Sequence, residues 1–303
     1  MREHKRFVLF GLSVDALQMD EVVEECKTSI SSRQRLLIGV INAAKVVTLR
    51  RDDVLRTSLL ECDLLLADGQ SVVWGSRLLG RPLPERVAGI DLFQRLLTIA
   101  SEEGRSIYLL GASAEVLEML QANIRQGYPG LTIAGARDGY FHDEEADDVA
   151  AEIRAAGADM LFLGMTSPKK EIFLGRYGDS LGVPVQHGVG GSFDIFAGVT
   201  KRAPGAWQRL GCEWLYRVVQ EPRRLWRRYL TTNTAFLWLL LREMARPTPA
   251  YASATTTIPA PRADAGGTVV DIRRPRKTTP HVMVLPEPRS ELDIVGFPMT
   301  EGA

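Results

Sequence analysis

The chain has 303 residues, 45% of them hydrophobic, and its 37 Lys and Arg balance 37 Asp and Glu to a formal net charge of zero. That length holds one large α/β domain of roughly 200 to 250 residues with appendages, and the neutral balance argues against a general nucleic-acid binder, which would carry an overall basic excess. Three widely spaced cysteines, Cys26, Cys62 and Cys212, without a CxxC pair, point to neither a disulfide framework nor a zinc site and fit a reduced cytosol.

From Phe7 to about Phe196, short apolar runs alternate with longer amphipathic ones, the pattern of an α/β fold with a Rossmann-like parallel sheet flanked by helices. The run FVLFGL (7–12), soon broken by Gly11, Ser13 and Asp15, reads as the first strand rather than a signal peptide. Further strands are expected at LLIGVI (36–41), DLLLAD (63–68), SIYLLGA (106–112), LTIAGAR (131–137), MLFLGM (160–165) and VPVQHGV (183–189). Helices are expected over 20–30, 43–60, 70–80, 89–103, 113–127, 143–156 and 168–180, with Asp20 and Ser113 as N-caps.

Residues 201–246 are rich in Trp, Arg and Leu, hold ten basic against three acidic residues and are broken at Pro204 and Pro222, which predicts two or three helices. Beyond Arg246 the composition turns to Pro, Thr, Ala and Gly, and a disordered tail is expected over 247–303. This divides the chain into a catalytic α/β domain (1–200), a basic helical appendage (201–246) and the tail. The most apolar late run, Ala235 to Leu241, is far short of the roughly 20 residues that span a bilayer, so membrane contact is expected to be peripheral.

In open parallel sheets, ligands sit beyond the carboxyl ends of the strands. Asp68 closes one strand and is followed by glycine and a helix, a placement that suits a general base taking a proton from an acceptor hydroxyl, and equally a helix N-cap. Asn42, closing another strand, fits a sugar contact or the positioning of Asp68, and equally a cap or turn. Gly188, Gly190 and Gly191 allow backbone N–H groups to approach an anion. Lys169 and Lys170 open a helix where cations oppose the dipole, unless an anion is bound or Glu171 offsets them. His187, a lone histidine closing a buried strand, reads as structural before it reads as a ligand or base. With no acidic DxD triplet at a strand end, no metal and no other cofactor is expected.

Trp207, Trp214, Trp226 and Trp238 among the arginines of 201–246 fit a surface for anionic lipid; a solvated helix face, a nucleic-acid patch and a face covered by a partner subunit, including a second copy, are the alternatives.

The blocks ADGQSVVWGSRLLGRPLPERVAGIDL, FLGMTSPKKE, GVGGSFDIFAGVTKRAP and GCEWLYRVVQEPRRLWRRYL, in this order within about residues 7–245, resemble the WecG/TagA/CpsF family of bacterial glycosyltransferases. The resemblance implies an inverting, metal-independent enzyme that moves a sugar from a UDP-sugar to a polyprenyl-diphosphate-linked saccharide, held peripherally at the inner face of the cytoplasmic membrane. It implies that Asp68 is the base with Asn42 beside it, that Arg86 lies near substrate phosphates, that Tyr140 and Asp194 hold the uridine, and that Arg217, Arg224 and Arg227 meet the lipid diphosphate. Lys170 stands where the family commonly has glutamine, and Val40 where a hydroxyl-bearing residue is common, so the sugar stays open between glucose and N-acetylmannosamine types. PKKE together with NAAK is similar to exopolysaccharide members of the xanthan-type glucosyltransferase branch. The alternative on the same sheet is a nucleotide- or lipid-binding regulatory protein without turnover, which would need neither Asp68 nor an acceptor.

Overall fold

The computed structural model describes residues 4–251, apart from Leu210 and the side chains of Arg209, Arg217, Arg224 and Arg228; the tail from residue 252 onward lies outside the described residues. The N-terminal run is not a strand of the main sheet. It forms a hairpin of β1 (Arg6–Leu9) and β2 (Leu12–Asp15), paired antiparallel. Phe10 at φ 54 and Gly11 at φ 85 make its turn, both in the left-handed region as a type I′ hairpin requires. An apolar phenylalanine at a turn position makes the segment read as one continuous strand.

The next helix, α1 (Met19–Ser32), starts ahead of Asp20, because Gln18 and Glu21 form the capping box. It leads to β3 (Leu36–Ile41). The single helix expected over 43–60 is two, α2 (Ala43–Thr48) and α3 (Asp53–Leu60), since the Asp52 side chain accepts the Leu55 N–H at 2.9 Å and opens the second. There follow β4 (Leu64–Ala67), α4 (Gln70–Leu78), α5 (Gly89–Glu103), β5 (Ser106–Gly111), α6 (Ala114–Gly127), β6 (Thr132–Arg137), α7 (Ala146–Ala156), β7 (Met160–Gly164), α8 (Lys169–Tyr177) and β8 (Val185–Gly188), close to expectation. Ser113 caps α6 through the Val116 N–H, as read from the sequence. After β8 come α9 (Ser192–Phe196), α10 (Gly205–Arg209), α11 (Glu213–Gln220) and α12 (Pro222–Ala245).

The six main strands are ordered β4-β3-β8-β7-β5-β6 and all pair in parallel. Alternate residues of the strands feed the two faces: Ile38, Leu64 and Leu66 pack with α1 and α5, whereas Ile41, Leu65 and Ala67 pack with the hairpin, α2, α3 and α12. Connections leave β7 toward β8 and β5 toward β6, so the strand order reverses between β7 and β5, the crevice where ligands bind in such sheets. At the outer edge, buried Asp15 accepts the Leu65 N–H at 2.6 Å, covering a donor that β4 would otherwise leave bare.

The helical appendage shares this core. Phe236, Leu239 and Leu240 of α12 are buried in it, with the Phe236 ring 5.5 Å from that of Phe10. Past α12 the Tyr251 N–H donates to Gly11 O at 2.8 Å, and its ring fills the place a Gly11 side chain would take. The opposite face of α12 exposes Trp226, Leu230, Trp238, Leu241 and Met244. No helix among the described residues is long and apolar enough to cross a membrane.

Candidate active site

Strands β3 and β4 end side by side, Ile41 opposite Ala67, and the N–H groups of Asp68 and Gly69 both donate to Ile41 O, at 2.9 and 3.3 Å. This puts Asn42 against Asp68. Asn42 Oδ1 accepts the Lys45 N–H at 3.1 Å as the N-cap of α2, and its Nδ2 donates to Asp68 Oδ2 at 3.3 Å. Capping fixes its oxygen and thereby turns its amide toward the carboxylate. The other oxygen, Oδ1 of Asp68, accepts the Gly89 N–H in the first turn of α5 at 3.1 Å, where the positive end of that helix favours a carboxylate. Asp68 does not cap α4, whose N-cap is Gly69. A Cβ on Gly69 would stand 3.0 Å from that of Asn42, so glycine is what lets the two strand ends close up.

Behind Gly89 lies His187 of β8, fully buried, with Nε2 3.2 Å from Gly89 O and Nδ1 3.4 Å from Ile38 O. Burial pushes its pKa down to about 4, so the ring is neutral and has one proton to share with the two carbonyls it faces. His187 is structural here, acting on the residue that acts on Asp68.

The lysines at the start of α8 resolve their conflict with the helix dipole inside the protein. Lys169 Nζ donates to Gly139 O at 2.8 Å and Phe141 O at 2.6 Å and lies 3.8 Å from the Phe141 ring centre, so it steadies the loop that presents Tyr140 instead of offering itself as a free cation. Lys170 Nζ pairs with Glu171 at 3.1 Å. Burial alone would raise the Glu171 carboxyl, but Lys170 and the Ser167 hydroxyl bring it below the usual carboxylate value. The Lys170 stem crosses Gly188 so closely that a Cβ there would come 2.7 Å from its Cδ. Next to it, Lys45 Nζ donates to Val40 O at 2.8 Å, and burial, with Lys170 nearby, pushes its pKa down to about 8.

The glycine turn differs from its expected role in one respect. Gly190, at φ 52, gives its N–H to Leu163 O at 3.2 Å, so it serves the turn and not an anion. Arg86 also has protein partners: its guanidinium donates to Glu213 Oε1 of α11 at 3.2 and 3.3 Å and reaches Asp91 at 3.5 Å, while Arg202 holds the other Asp91 oxygen at 2.5 Å.

A cavity of about 640 Å³, in the size range of small-molecule sites, opens between the ends of β3, β4 and β8 on one side and α4, α11 and α12 on the other. Asn42, Asp68, Arg86 and Gly191 line it. Lys169, Gly190, Asp194 and Tyr140, the last 79% exposed, lie outside its lining, toward the β7–β5 crevice. Lys170 lines a separate void of about 40 Å³ that touches the large cavity at Val40 and Gly188. Arg227 is exposed and stacks 5.3 Å from the Trp226 ring centre; the side chains of Arg217 and Arg224 lie outside the described residues.

The sequence profile of the glycosyl transferase WecG/TagA/CpsF family matches residues 7–250, which spans both the sheet and the cavity-forming helices. The chain belongs to this family. It is 38% identical over 193 residues, 64% of its own length and 74% of the relative's, to the N-acetylglucosaminyldiphosphoundecaprenol N-acetyl-beta-D-mannosaminyltransferase of Bacillus spizizenii. In this glycosyltransferase, sequence reasoning missed the His187–Gly89 support of Asp68, the buried Lys45, the Glu213 partner of Arg86 and the cavity face of α12. Only the last left a signal, the polar run TTNT (231–234) inside an otherwise apolar helix.

Proposed function

We propose that the chain is an inverting transferase that moves a hexosyl group, of glucose or N-acetylmannosamine type, from a UDP-sugar to a polyprenyl-diphosphate-linked saccharide. The observation that carries this reading is Asp68, a strand-end carboxylate with a fixed donor on each oxygen, facing a cavity of about 640 Å³. The acceptor hydroxyl gives its proton to Asp68 as its oxygen attacks the anomeric carbon from the face opposite the nucleotide. The bond between that carbon and the β-phosphate oxygen breaks, and UDP leaves with the electron pair. Tyr140 and Asp194, beside the β7–β5 crevice, hold the uridine, and Arg86, with Arg217, Arg224 and Arg227 of the appendage, neutralises diphosphate charge. The polyprenyl acceptor follows the B. spizizenii relative, whose name specifies an N-acetylglucosaminyl-diphosphoundecaprenol acceptor.

The exposed stripe on α12, Trp226, Leu230, Trp238 and Leu241 with Arg223, Arg227 and Arg242 along it, supports peripheral binding to an anionic bilayer. The test is UDP release from UDP-glucose and UDP-N-acetylmannosamine with polyprenyl-diphosphate-linked glucose or N-acetylglucosamine. Acceptor-dependent release from one donor is the expected result, and Asp68→Asn lowers kcat by about 10²- to 10⁴-fold while UDP binding persists. A folded Asp68→Asn protein with full activity removes Asp68 from the role.

A further inference from the structure

Helix α12 is apolar along most of its second half, yet carries Thr231, Thr232, Asn233 and Thr234 at its middle. Thr231 and Thr234 turn their hydroxyls back to the helix, onto Arg227 O at 2.8 Å and Leu230 O at 2.7 Å. Thr232 and Asn233 do not. Their side chains bond to no described residue and line the large cavity, on the one helix face that also presents Tyr229, Phe236, Leu237 and Leu240 to it, at the three- and four-residue spacing of a single stripe.

The wall across from this stripe is α4, which presents Gln70, Ser71, Trp74, Gly75 and Leu78. Both helices grade from polar to apolar along their length, and two contacts show that they do so in the same direction. At the polar end, the turn at Gly211 packs on Gln70, and Trp214, three residues on, sets its ring 5.6 Å from that of Tyr229. At the apolar end the helices pinch together, a Cβ on Gly75 lying 3.3 Å from Leu240 Cδ1 and 3.7 Å from Phe236 Cζ. One cavity therefore has a polar end, beside Asp68, and an apolar end between Leu78 and Leu240. A nucleotide has no use for the second. A sugar joined to a hydrocarbon chain uses both.

We propose that Thr232 and Asn233 form the acceptor-sugar subsite: the Asn233 amide and the Thr232 hydroxyl hydrogen-bond hydroxyl groups of a lipid-linked saccharide and aim its attacking oxygen at Asp68, while Trp74, Leu78, Leu237 and Leu240 take the first units of the lipid. The inference rests on the transferase reading above and deepens it. Half-buried groups that line a cavity and have no protein partner favour ligands that complete their hydrogen bonds over ligands that do not.

The test uses the full chain with its responsive UDP-sugar donor and two acceptors, N-acetylglucosamine linked by diphosphate to a long polyprenyl or to a short alkyl chain. Asn233→Leu and the near-isosteric Thr232→Val are expected to raise the acceptor KM at least tenfold for both acceptors, with donor KM and the Kd for UDP unchanged. Asn233→Gln, which keeps the amide, recovers part of the loss. Leu237→Ser raises KM for the long-chain acceptor alone. Acceptor KM within twofold of wild type in both Asn233→Leu and Thr232→Val, with transfer intact, overturns the subsite and leaves the transferase standing. No transfer by the wild-type chain from any UDP-sugar overturns the transferase reading and the subsite with it. Should Asn233→Leu fail to fold, Asn233→Ser, smaller and still polar, gives the same comparison of acceptor and donor KM.

Discussion

The two walls of the cavity are built on opposite plans. At Asp68 every polar atom is spoken for: each carboxylate oxygen has a donor, and those donors are themselves held, Asn42 by the Lys45 N–H and Gly89 by His187. On α12 the side chains facing the same space have no such obligations. The difference separates two demands on an enzyme. A reacting group must be held within tenths of an ångström, which requires supporting bonds. A recognising group must be available, which requires their absence.

Ways to break this contrast can be ranked by size. Beyond the rate loss expected of Asp68→Asn, the largest effect belongs to the fixed side. Lys170→Met leaves Glu171 buried without its ammonium partner, and breaking such a pair costs about 3 to 5 kcal/mol of folding stability. Lys170→Gln keeps a donor within reach and loses much less. Urea midpoints measure both, and equal midpoints for the two variants would refute this account of the pair.

Next comes His187. Its pKa is about 4 in the folded chain against 6.5 when unfolded, so below pH 6.5 the unfolded state takes up a proton that the folded state refuses. The associated stability is complete above about pH 6.5 and is lost as pH falls toward 4, by about 3 kcal/mol in all. His187→Gln can still donate to Gly89 O but has nothing to titrate. Denaturant melts at pH 7.5 and 4.5 are therefore expected to show a smaller fall for the variant than for wild type, and parallel falls would rule the histidine out as the source.

The smallest change tests the outward face of α12, which turns away from the cavity. Trp226→Ala with Trp238→Ala removes exposed rings that neither line the cavity nor enter the core. Affinity for anionic vesicles is expected to drop about tenfold in co-sedimentation, with turnover of a soluble short-chain acceptor unchanged. A loss of that turnover would mean that the stripe serves the cavity and not a surface.

Much of the fixed side was legible in the sequence, because parallel strands buried on both faces read as uninterrupted apolar runs and stop at recognisable residues, as at Asn42 and Asp68. What stayed hidden depends on partners distant in the chain. Nothing local to Lys169 says that its ammonium will meet the carbonyls of Gly139 and Phe141, nor does PERV announce that Arg86 will find Glu213 more than a hundred residues later. The break between α2 and α3 was readable in principle, since Asp52 is a good capping residue, but the apolar periodicity runs through it. The first hairpin was lost to Phe10, a residue that seldom takes a left-handed turn.

The clasp between Tyr251 and Gly11 ties the last described residues to the first hairpin. Contacts between such remote parts of a chain close late, because the largest loop must be ordered before they form. On a ribosome the strand ends bearing Asp68 and Asn42 emerge long before α12. The wall that α12 adds to the cavity is therefore the last of its described parts to be made, and the Tyr251 clasp that fastens it to the hairpin comes later still.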